Sequence, residues 1–126
     1  MKLGGRFLSA TAAGCGALVL FACLLSVALR LPFLSVPLTD DEAGYAYVSS
    51  WLAQGFALYR DLWFDRPQGI FILYGGILWL FGDDTEGIRL AAALYNAVTV
   101  LAVYTLGRRL TGPRGAFAAS FAYAAA

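Results

Sequence analysis

An uncharged run of 23 residues, Phe7–Leu29, constrains the fold of this chain more than any other feature of its sequence. As an α-helix it would extend about 34 Å, which is enough to cross a bilayer core of about 30 Å. Lys2 and Arg6 precede the run, and Arg30-Leu31-Pro32 ends it. A cleaved signal peptide ending at Ser26-Val27-Ala28 is the alternative, but its apolar region would usually have roughly 7–15 residues. We therefore predict a transmembrane helix over residues 7–29.

The composition also indicates a membrane protein. Of the 126 residues 60% are hydrophobic, whereas soluble domains contain roughly 45–50% apolar residues. The net charge is +1 and no basic run is present, so nothing in the sequence favours binding to nucleic acid. Histidine is absent, which excludes a Ser-His-Asp triad or a histidine-ligated metal made from these residues. Cys15 and Cys23 lack CxxC spacing, and we expect both to serve packing.

Charged and aromatic residues gather between Thr39 and Gly69. Thr39 followed three residues later by Glu42 fits a capping box, and Gly55 provides a C-terminal stop, so we predict a helix over 40–54. This helix carries aromatic residues and no long apolar run. It is therefore predicted to lie along the membrane interface, where Tyr and Trp rings are favoured.

The apolar segment Gly69–Phe81 would form only about 20 Å of helix. If it does not span, the eight acidic residues of the chain all face one side of the membrane, and the other side holds five basic residues: Lys2, Arg6, Arg108, Arg109 and Arg114. The positive-inside rule favours this arrangement over the spanning alternative. We therefore predict a re-entrant or interface-embedded helix over 69–81, an extracytoplasmic loop over 30–87 and a cytoplasmic N-terminus.

A second span is predicted over 88–106, opened by a capping pair of Asp83 and Glu86 and closed by Gly107-Arg108-Arg109. Residues 116–126 would begin a third span, with only about 16 Å of helix. We expect the chain to be the N-terminal portion of an all-α, polytopic helical bundle.

Three polar residues fall on the predicted second span. Arg89 lies at its outer end, where its long stem is expected to reach the headgroups. Asn96 and Thr99, one turn apart, are candidates for hydrogen bonds to a neighbouring helix.

Asp40, Asp41 and Glu42 place three carboxylates in a row. One interpretation is structural, because each carboxylate at a helix N-terminus stabilises the helix by about 0.3–1 kcal/mol. The other is functional, because clustered carboxylates at a lipid–water boundary bind a cation or take a proton from an attacking hydroxyl. The spacing leaves both open, and it defines no geometry for a divalent cation as cofactor.

Arg66 lies between Asp65 and Pro67. It either forms a surface ion pair worth about 0–1 kcal/mol or binds a phosphate, since a guanidinium suits bidentate phosphate recognition at headgroup depth. Arg60-Asp61 is a second such pair with a weaker case. The aromatic residues of the loop are interfacial anchors or, for one or two of them, platforms for a sugar: Tyr45, Tyr47, Trp51, Tyr59 and Trp63.

An ordered series of motifs follows the first apolar run: Asp41-Glu42-Ala43-x-Tyr45, Gly55, Tyr59-Arg60-Asp61, Phe64-Asp65-Arg66-Pro67, Phe81-Gly82-Asp83, Arg89 and Gly107-Arg108-Arg109. The series resembles the N-terminal part of the polytopic C-type glycosyltransferases, the group of dolichyl-phosphate-mannose protein mannosyltransferases and lipid A aminoarabinose transferases. Family members often have Lys-Pro-Pro or a similar run where this chain has Arg66-Pro67-Gln68.

The resemblance implies an enzyme of the bacterial inner membrane. Such an enzyme transfers a sugar from a polyprenyl-phosphate donor to a lipid, glycan or protein acceptor on the extracytoplasmic side. Within this chain it implies that Asp41 is the catalytic aspartate and that Glu42 supports either this aspartate or the acceptor site. Arg66 would hold the lipid phosphate, with Asp65 lining the site, and Tyr45 and Arg60 are the remaining candidate substrate-binding residues.

The family enzymes have further helices and loops that complete the site, so we expect this portion to be inactive alone. The alternative is a non-catalytic membrane scaffold, a transporter piece or a small subunit of a larger enzyme. In that case the acidic stretch would only cap an interfacial helix.

Overall fold

The computed structural model describes the backbone of residues 4–126 and the side chains of residues 16–126. Its helices are α1 (Gly4–Ala28), α2 (Asp40–Ala53), α3 (Gln68–Phe81) and α4 (Thr85–Ala125), and no strand occurs among the described residues. The segments Gly16–Phe33 and Thr85–Ala125 are long and apolar enough to cross a membrane, by length and composition. The predicted fold class, an all-α membrane protein, is confirmed. The predictions for Lys2, Arg6 and Cys15 fall outside the described side chains.

The chain forms two compact units. One, which we call the bundle unit, comprises Met1–Pro32 and Ala93–Ala126; the other, the loop unit, comprises Phe33–Ala92. Helix α4 begins in the loop unit and continues into the bundle unit.

Helix α4 breaks at Gly112, whose φ of 79° and ψ of −179° are not helical. Pro113 follows at the start of the second arm, where a fixed φ suits a helix and no N–H is needed. The helix therefore continues past Gly107-Arg108-Arg109, the segment predicted to close the second span, because the first arm reaches residue 111; the bounds of the span stay a prediction. Gly107 serves a different purpose: a Cβ there would lie 3.0 Å from the Cα of Ala116 in the second arm. The glycine permits the two arms to approach closely.

Small residues fill the interior of the bundle unit. Ala22 of α1 packs with Val100 and Ala124 of the two α4 arms, and all three are fully buried. The second arm buries Ala116, Ser120 and Ala124, spaced four residues apart, so a single stripe of small residues faces the interior. Such stripes allow helix backbones to approach each other within a membrane.

Polar contacts join the same helices. The Nδ2 atom of Asn96 donates to the Oγ of Ser26 at 2.6 Å, which confirms the predicted interhelical hydrogen bond. The Thr99 hydroxyl donates to the Tyr95 carbonyl of its own helix, so among the described residues this contact is local, and an interhelical role for Thr99 stays a prediction. Arg30 donates to the carbonyls of Ser26 and Ala124 at 2.9 and 3.3 Å, so it caps terminal carbonyls of two helices.

Helix α2 in the loop unit begins with the predicted capping box, and both of its hydrogen bonds are present. The helix ends at Ala53, and Gly55, with a φ of 97°, takes the left-handed conformation that the predicted stop requires. Helix α3 packs against α2 and buries Phe71, which is 1% exposed. The Oγ of Ser49 on α2 donates to the Phe71 carbonyl at 2.9 Å.

The opposite face of α3 is apolar and exposed. Ile72, Trp79 and Leu80 on this face are 72%, 84% and 66% exposed. The 14 residues of α3 extend about 21 Å, which is shorter than a bilayer core. Its length and composition therefore match the expectation of an apolar helix that is too short to cross.

The turn from α3 to α4 corrects one prediction. Gly82 has a φ of 91° and closes α3, so the next helix begins at Thr85. Asp84, rather than Asp83, caps it by accepting a hydrogen bond from the Gly87 N–H at 2.6 Å. The cap therefore falls one residue later than the spacing predicted.

Candidate active site in the loop unit

Arg66 lies directly before the N-terminal end of α3 and is held from α2. Its Nε atom donates to the hydroxyl of Tyr45 at 3.3 Å, and the Asp65 carboxylate lies 3.9 Å away. The hydrogen bond with Tyr45 raises the pKa of Arg66, and the charges of Asp65 and Asp41 raise it further. The Arg66 side chain is 44% exposed, and a guanidinium carries five N–H donors. It can therefore hold its contact with Tyr45 and still bind an anion.

A cluster of aromatic rings fixes Tyr45. Its ring makes edge-on contacts with Phe64, Phe71 and Tyr74 at centroid distances of 6.0, 6.1 and 5.5 Å. These are the distances at which aromatic pairs add stability beyond the area they bury. Gly44 makes room for this cluster, because a Cβ there would lie 3.2 Å from the Phe64 ring. Tyr45 thus presents its hydroxyl to Arg66 from a rigid base.

Asp41 lies one turn before Tyr45 on α2 and is exposed. Residues four apart share a helix face, so Asp41 and the hydroxyl that binds Arg66 lie on the same side of α2. The charge of Asp41 also acts on the Arg66 guanidinium. The structure therefore brings together four of the predicted site residues: Asp41, Tyr45, Asp65 and Arg66.

The loop that carries Arg66 is closed by Tyr59. The Tyr59 hydroxyl donates to the Arg66 carbonyl at 2.6 Å, and its N–H donates to the Leu62 carbonyl at 2.7 Å. Tyr59 has a φ of 66°, which is uncommon for a residue with a side chain. The motif Tyr59-Arg60-Asp61 drew attention to this residue, but nothing in the spacing indicated that its hydroxyl would hold the backbone at Arg66.

Arg60 is not brought into the cluster. Its guanidinium donates to both oxygens of Asp61, from Nε at 2.9 Å and from Nη2 at 2.7 Å. This pair, with the Ala57 N–H as a further donor, lowers the pKa of Asp61 to about 2. Arg60 and Asp61 brace the loop locally, and the role of Arg60 as a substrate ligand stays a prediction.

Glu42 is engaged on both carboxylate oxygens. Oε2 accepts from the N–H and hydroxyl of Thr39 at 2.9 and 3.0 Å, and Oε1 accepts from Arg89 at 2.9 Å. Partial burial acts to raise the pKa of Glu42, but the hydrogen bonds from Thr39 and the charge and hydrogen bond of Arg89 outweigh it, so the pKa is lowered. Arg89, predicted at the outer end of the second span, binds Glu42 and two loop carbonyls through its guanidinium, and its depth relative to the headgroups stays a prediction.

The described side chains contain no group of three or more His, Cys, Asp or Glu residues that could hold a metal ion. Of the three consecutive carboxylates, Glu42 binds Thr39 and Arg89. Asp41 shares a face of α2 with Tyr45, whose hydroxyl binds Arg66. The polar atoms that converge here are instead suited to an anion and to a proton transfer.

Comparisons with known proteins show which group of enzymes the chain is similar to. The family model described as dolichyl-phosphate-mannose-protein mannosyltransferase matches residues 65–126, which include Arg66 but not Asp41. An undecaprenyl phosphate-alpha-4-amino-4-deoxy-L-arabinose arabinosyl transferase 2 of Pseudomonas fluorescens is 35% identical over 114 residues, covering 79% of this chain and 19% of the relative. A transferase for the same donor from Pseudomonas savastanoi is 33% identical over 118 residues, covering 86% and 21%.

The chain is a relative of the C-type, lipid-phosphate-sugar glycosyltransferases. The resemblance predicted from its motifs is confirmed. The chain spans about a fifth of the length of the curated relatives it matches. No solved structure matches it.

Proposed function

We propose that this chain supplies the donor-phosphate and base residues of an integral-membrane glycosyltransferase. The enzyme transfers a sugar from a polyprenyl-phosphate donor to a lipid, glycan or protein acceptor on the extracytoplasmic face. The observation that carries the proposal is the cluster on one side of α2, where Tyr45 holds Arg66 by a hydrogen bond of 3.3 Å and Asp41 lies one turn away. The relatives are named as transferases of undecaprenyl phosphate-linked aminoarabinose, which supports a lipid-linked donor.

Arg66 is the proposed ligand of the donor phosphate. Its guanidinium offers paired N–H groups to phosphate oxygens, and Tyr45 together with the closed loop at Tyr59 sets its direction. When the bond between the anomeric carbon and the phosphate oxygen breaks, the electron pair leaves with the phosphate. Arg66 would stabilise the negative charge that grows on that oxygen.

Asp41 is the proposed general base. The acceptor hydroxyl attacks the anomeric carbon, and its proton passes to the Asp41 carboxylate as the new glycosidic bond forms. Asp41 suits this role because it is exposed and lies on the same face of α2 as Tyr45, which binds Arg66. Its neighbour Glu42 has both oxygens engaged.

The same proposal places the loop unit at the outer surface of the bacterial inner membrane and the N-terminus in the cytoplasm. Helix α3 would lie embedded at the interface, with Ile72, Trp79 and Leu80 towards lipid, because these exposed side chains are apolar and the helix is too short to span. Arg66 would then lie at headgroup depth, where the phosphate of a polyprenyl lipid resides.

The test is Asp41→Asn in the native gene product, assayed in its own membranes with radiolabelled undecaprenyl phosphate-linked sugars, aminoarabinose first. We expect the transfer rate to fall by about 100- to 10,000-fold, the usual contribution of a general base. Membrane insertion should be intact. Asp40→Asn, which neutralises the adjacent carboxylate, is the matched control and should retain transfer. Full activity of Asp41→Asn would overturn the assignment.

A further inference from the structure

We propose that Glu42 and Arg89 form a positioning pair that fixes the Asp41 carboxylate at the start of α2. The inference rests on the proposed function, in which Asp41 is the base. It assigns Glu42 a role through its neighbours rather than at the reacting atoms. It also adds Arg89, a residue of α4, to the machinery of the site.

Arg89 binds the segment that precedes α2. Its guanidinium donates to Glu42 Oε1 at 2.9 Å, to the Pro37 carbonyl at 2.9 Å and to the Val36 carbonyl at 3.4 Å. These partners lie 47 to 53 residues away in the sequence. A single side chain of α4 therefore holds both the extended chain that leads into α2 and the first turn of that helix.

Glu42 completes the arrangement from the other side. While Oε1 binds Arg89, Oε2 binds the N–H and the hydroxyl of Thr39. The residues on either side of Asp40 and Asp41 are thus held in place, and the two aspartates between them are exposed. This fixed backbone sets the direction in which the Cβ of Asp41 leaves the helix.

The ion pair of Arg89 and Glu42 is partly buried from solvent. The side chains of Arg89 and Glu42 are 23% and 27% exposed, against 74% for Arg60 in the loop pair. Partly buried pairs are screened less by solvent and salt than exposed ones. The three acceptors are bound by three separate nitrogens of the planar guanidinium, a geometry that the single nitrogen of lysine cannot reproduce.

A loss of this pair is expected to act on the rate of the chemical step. Displacement of a reacting group by about 1 Å can lower the rate on the order of 100-fold. Donor binding at Arg66 is held separately by Tyr45 and Tyr59. The signature of a positioning pair is therefore a lower kcat with little change in the KM for the donor.

The experiment compares Glu42→Gln, Arg89→Gln and the double variant in the native protein in its own membranes. Glutamine at position 42 still serves a capping box, so Glu42→Gln removes the charge pair while retaining the helix cap. We expect each single variant to lower kcat by about 10- to 100-fold. The double variant should be no worse than the more affected single variant, because the two residues act as one unit.

Amide hydrogen exchange over residues 34–43, measured on the same purified variants, reports the clamp independently of activity. We expect faster exchange in all three variants. Glu86→Gln, an exposed carboxylate in the first turn of α4, is the matched control and should change neither kcat nor exchange.

Two results would overturn the inference: exchange that stays at the wild-type level, or faster exchange with an unchanged kcat. Additive losses in the double variant would also contradict a single unit. If Asp41→Asn retains full activity, the proposed function itself fails, and the exchange measurement still decides whether the clamp exists.

Discussion

Different interactions stabilise the interior of each of the two units. In the bundle unit the buried residues are mostly small, and helices approach at positions such as Gly107 and Ala116. In the loop unit, charged and aromatic side chains make directional contacts, and all three ion pairs of the described residues lie there. Packing in the bundle unit depends mainly on the size of the side chains, whereas packing in the loop unit depends on their chemical groups.

The difference indicates that the bundle unit is a structural scaffold and that the loop unit carries the candidate site. Side chains at the small-residue contacts of the bundle unit are enclosed by neighbouring helices and are unavailable to a substrate. In the loop unit, Arg66 is held in a half-exposed position and retains N–H groups for a further partner. Substitutions in the loop unit should therefore change transfer with little effect on stability, and substitutions in the bundle unit should do the reverse.

Arg66→Ala gives the largest effect expected of this comparison. Removing a donor that stabilises developing negative charge usually lowers the rate by about 100- to 1,000-fold. We expect kcat/KM for the lipid-phosphate sugar to fall by that factor in the native protein, as measured by initial rates at varied donor concentration. The thermal unfolding midpoint should hardly change, because the side chain is half-exposed.

Two variants sharpen that result. Arg66→Lys should recover part of the loss, since the charge remains without the planar fork. Tyr47→Phe removes a hydroxyl from an exposed residue of α2, the helix that carries Tyr45, and should leave the donor kinetics unchanged. Donor kinetics that are unchanged in Arg66→Ala would show that the phosphate binds elsewhere.

The helices could be predicted because their signals are local. The capping box at Thr39 and the glycine stop at Gly55 depend on contacts within a few residues, and both are found. Local signals do not show that the first arm of α4 continues past Gly107, because a glycine followed by two arginines is typical of a helix C-terminus. The role of Gly107 depends on tertiary structure, since a Cβ there would lie 3.0 Å from the Cα of Ala116 in the second arm.

The site was partly predictable for a similar reason. Asp41 and Tyr45 share a face by helical spacing, and Asp65 adjoins Arg66 in the sequence. Three contacts depend on tertiary structure: Tyr45 with Arg66, Tyr59 with the Arg66 carbonyl, and Arg89 with Glu42. Residues 21 to 47 apart make the first and last of these, and no pattern in a single sequence pairs them.

Gly107→Ala tests the scaffold side of the comparison. The added methyl group would lie 3.0 Å from the Cα of Ala116, so the second arm has to move. Overpacking of this kind costs about 1–3 kcal/mol, and we expect a lower thermal unfolding midpoint in detergent with an unchanged donor KM. Gly16→Ala is the matched control, because a Cβ there meets nothing within 4 Å. Equal midpoints for the two variants would contradict the close approach.

Asn96→Ala gives the smallest effect, on the predicted interhelical hydrogen bond that is found in the bundle unit. Its hydrogen bond to the fully buried Ser26 is short, at 2.6 Å, but such bonds in membrane proteins average only about 0.6 kcal/mol. We expect a loss of about that size in the free energy of unfolding, and a coupling of similar size in a cycle with Ser26→Ala. Thr99→Val is the matched control, because its hydroxyl binds only within its own helix. If Asn96→Ala behaved like Thr99→Val, the hydrogen bond to Ser26 would add nothing measurable to the stability of the bundle unit. The contrast with the directional contacts of the loop unit would then be stronger than the structure indicates.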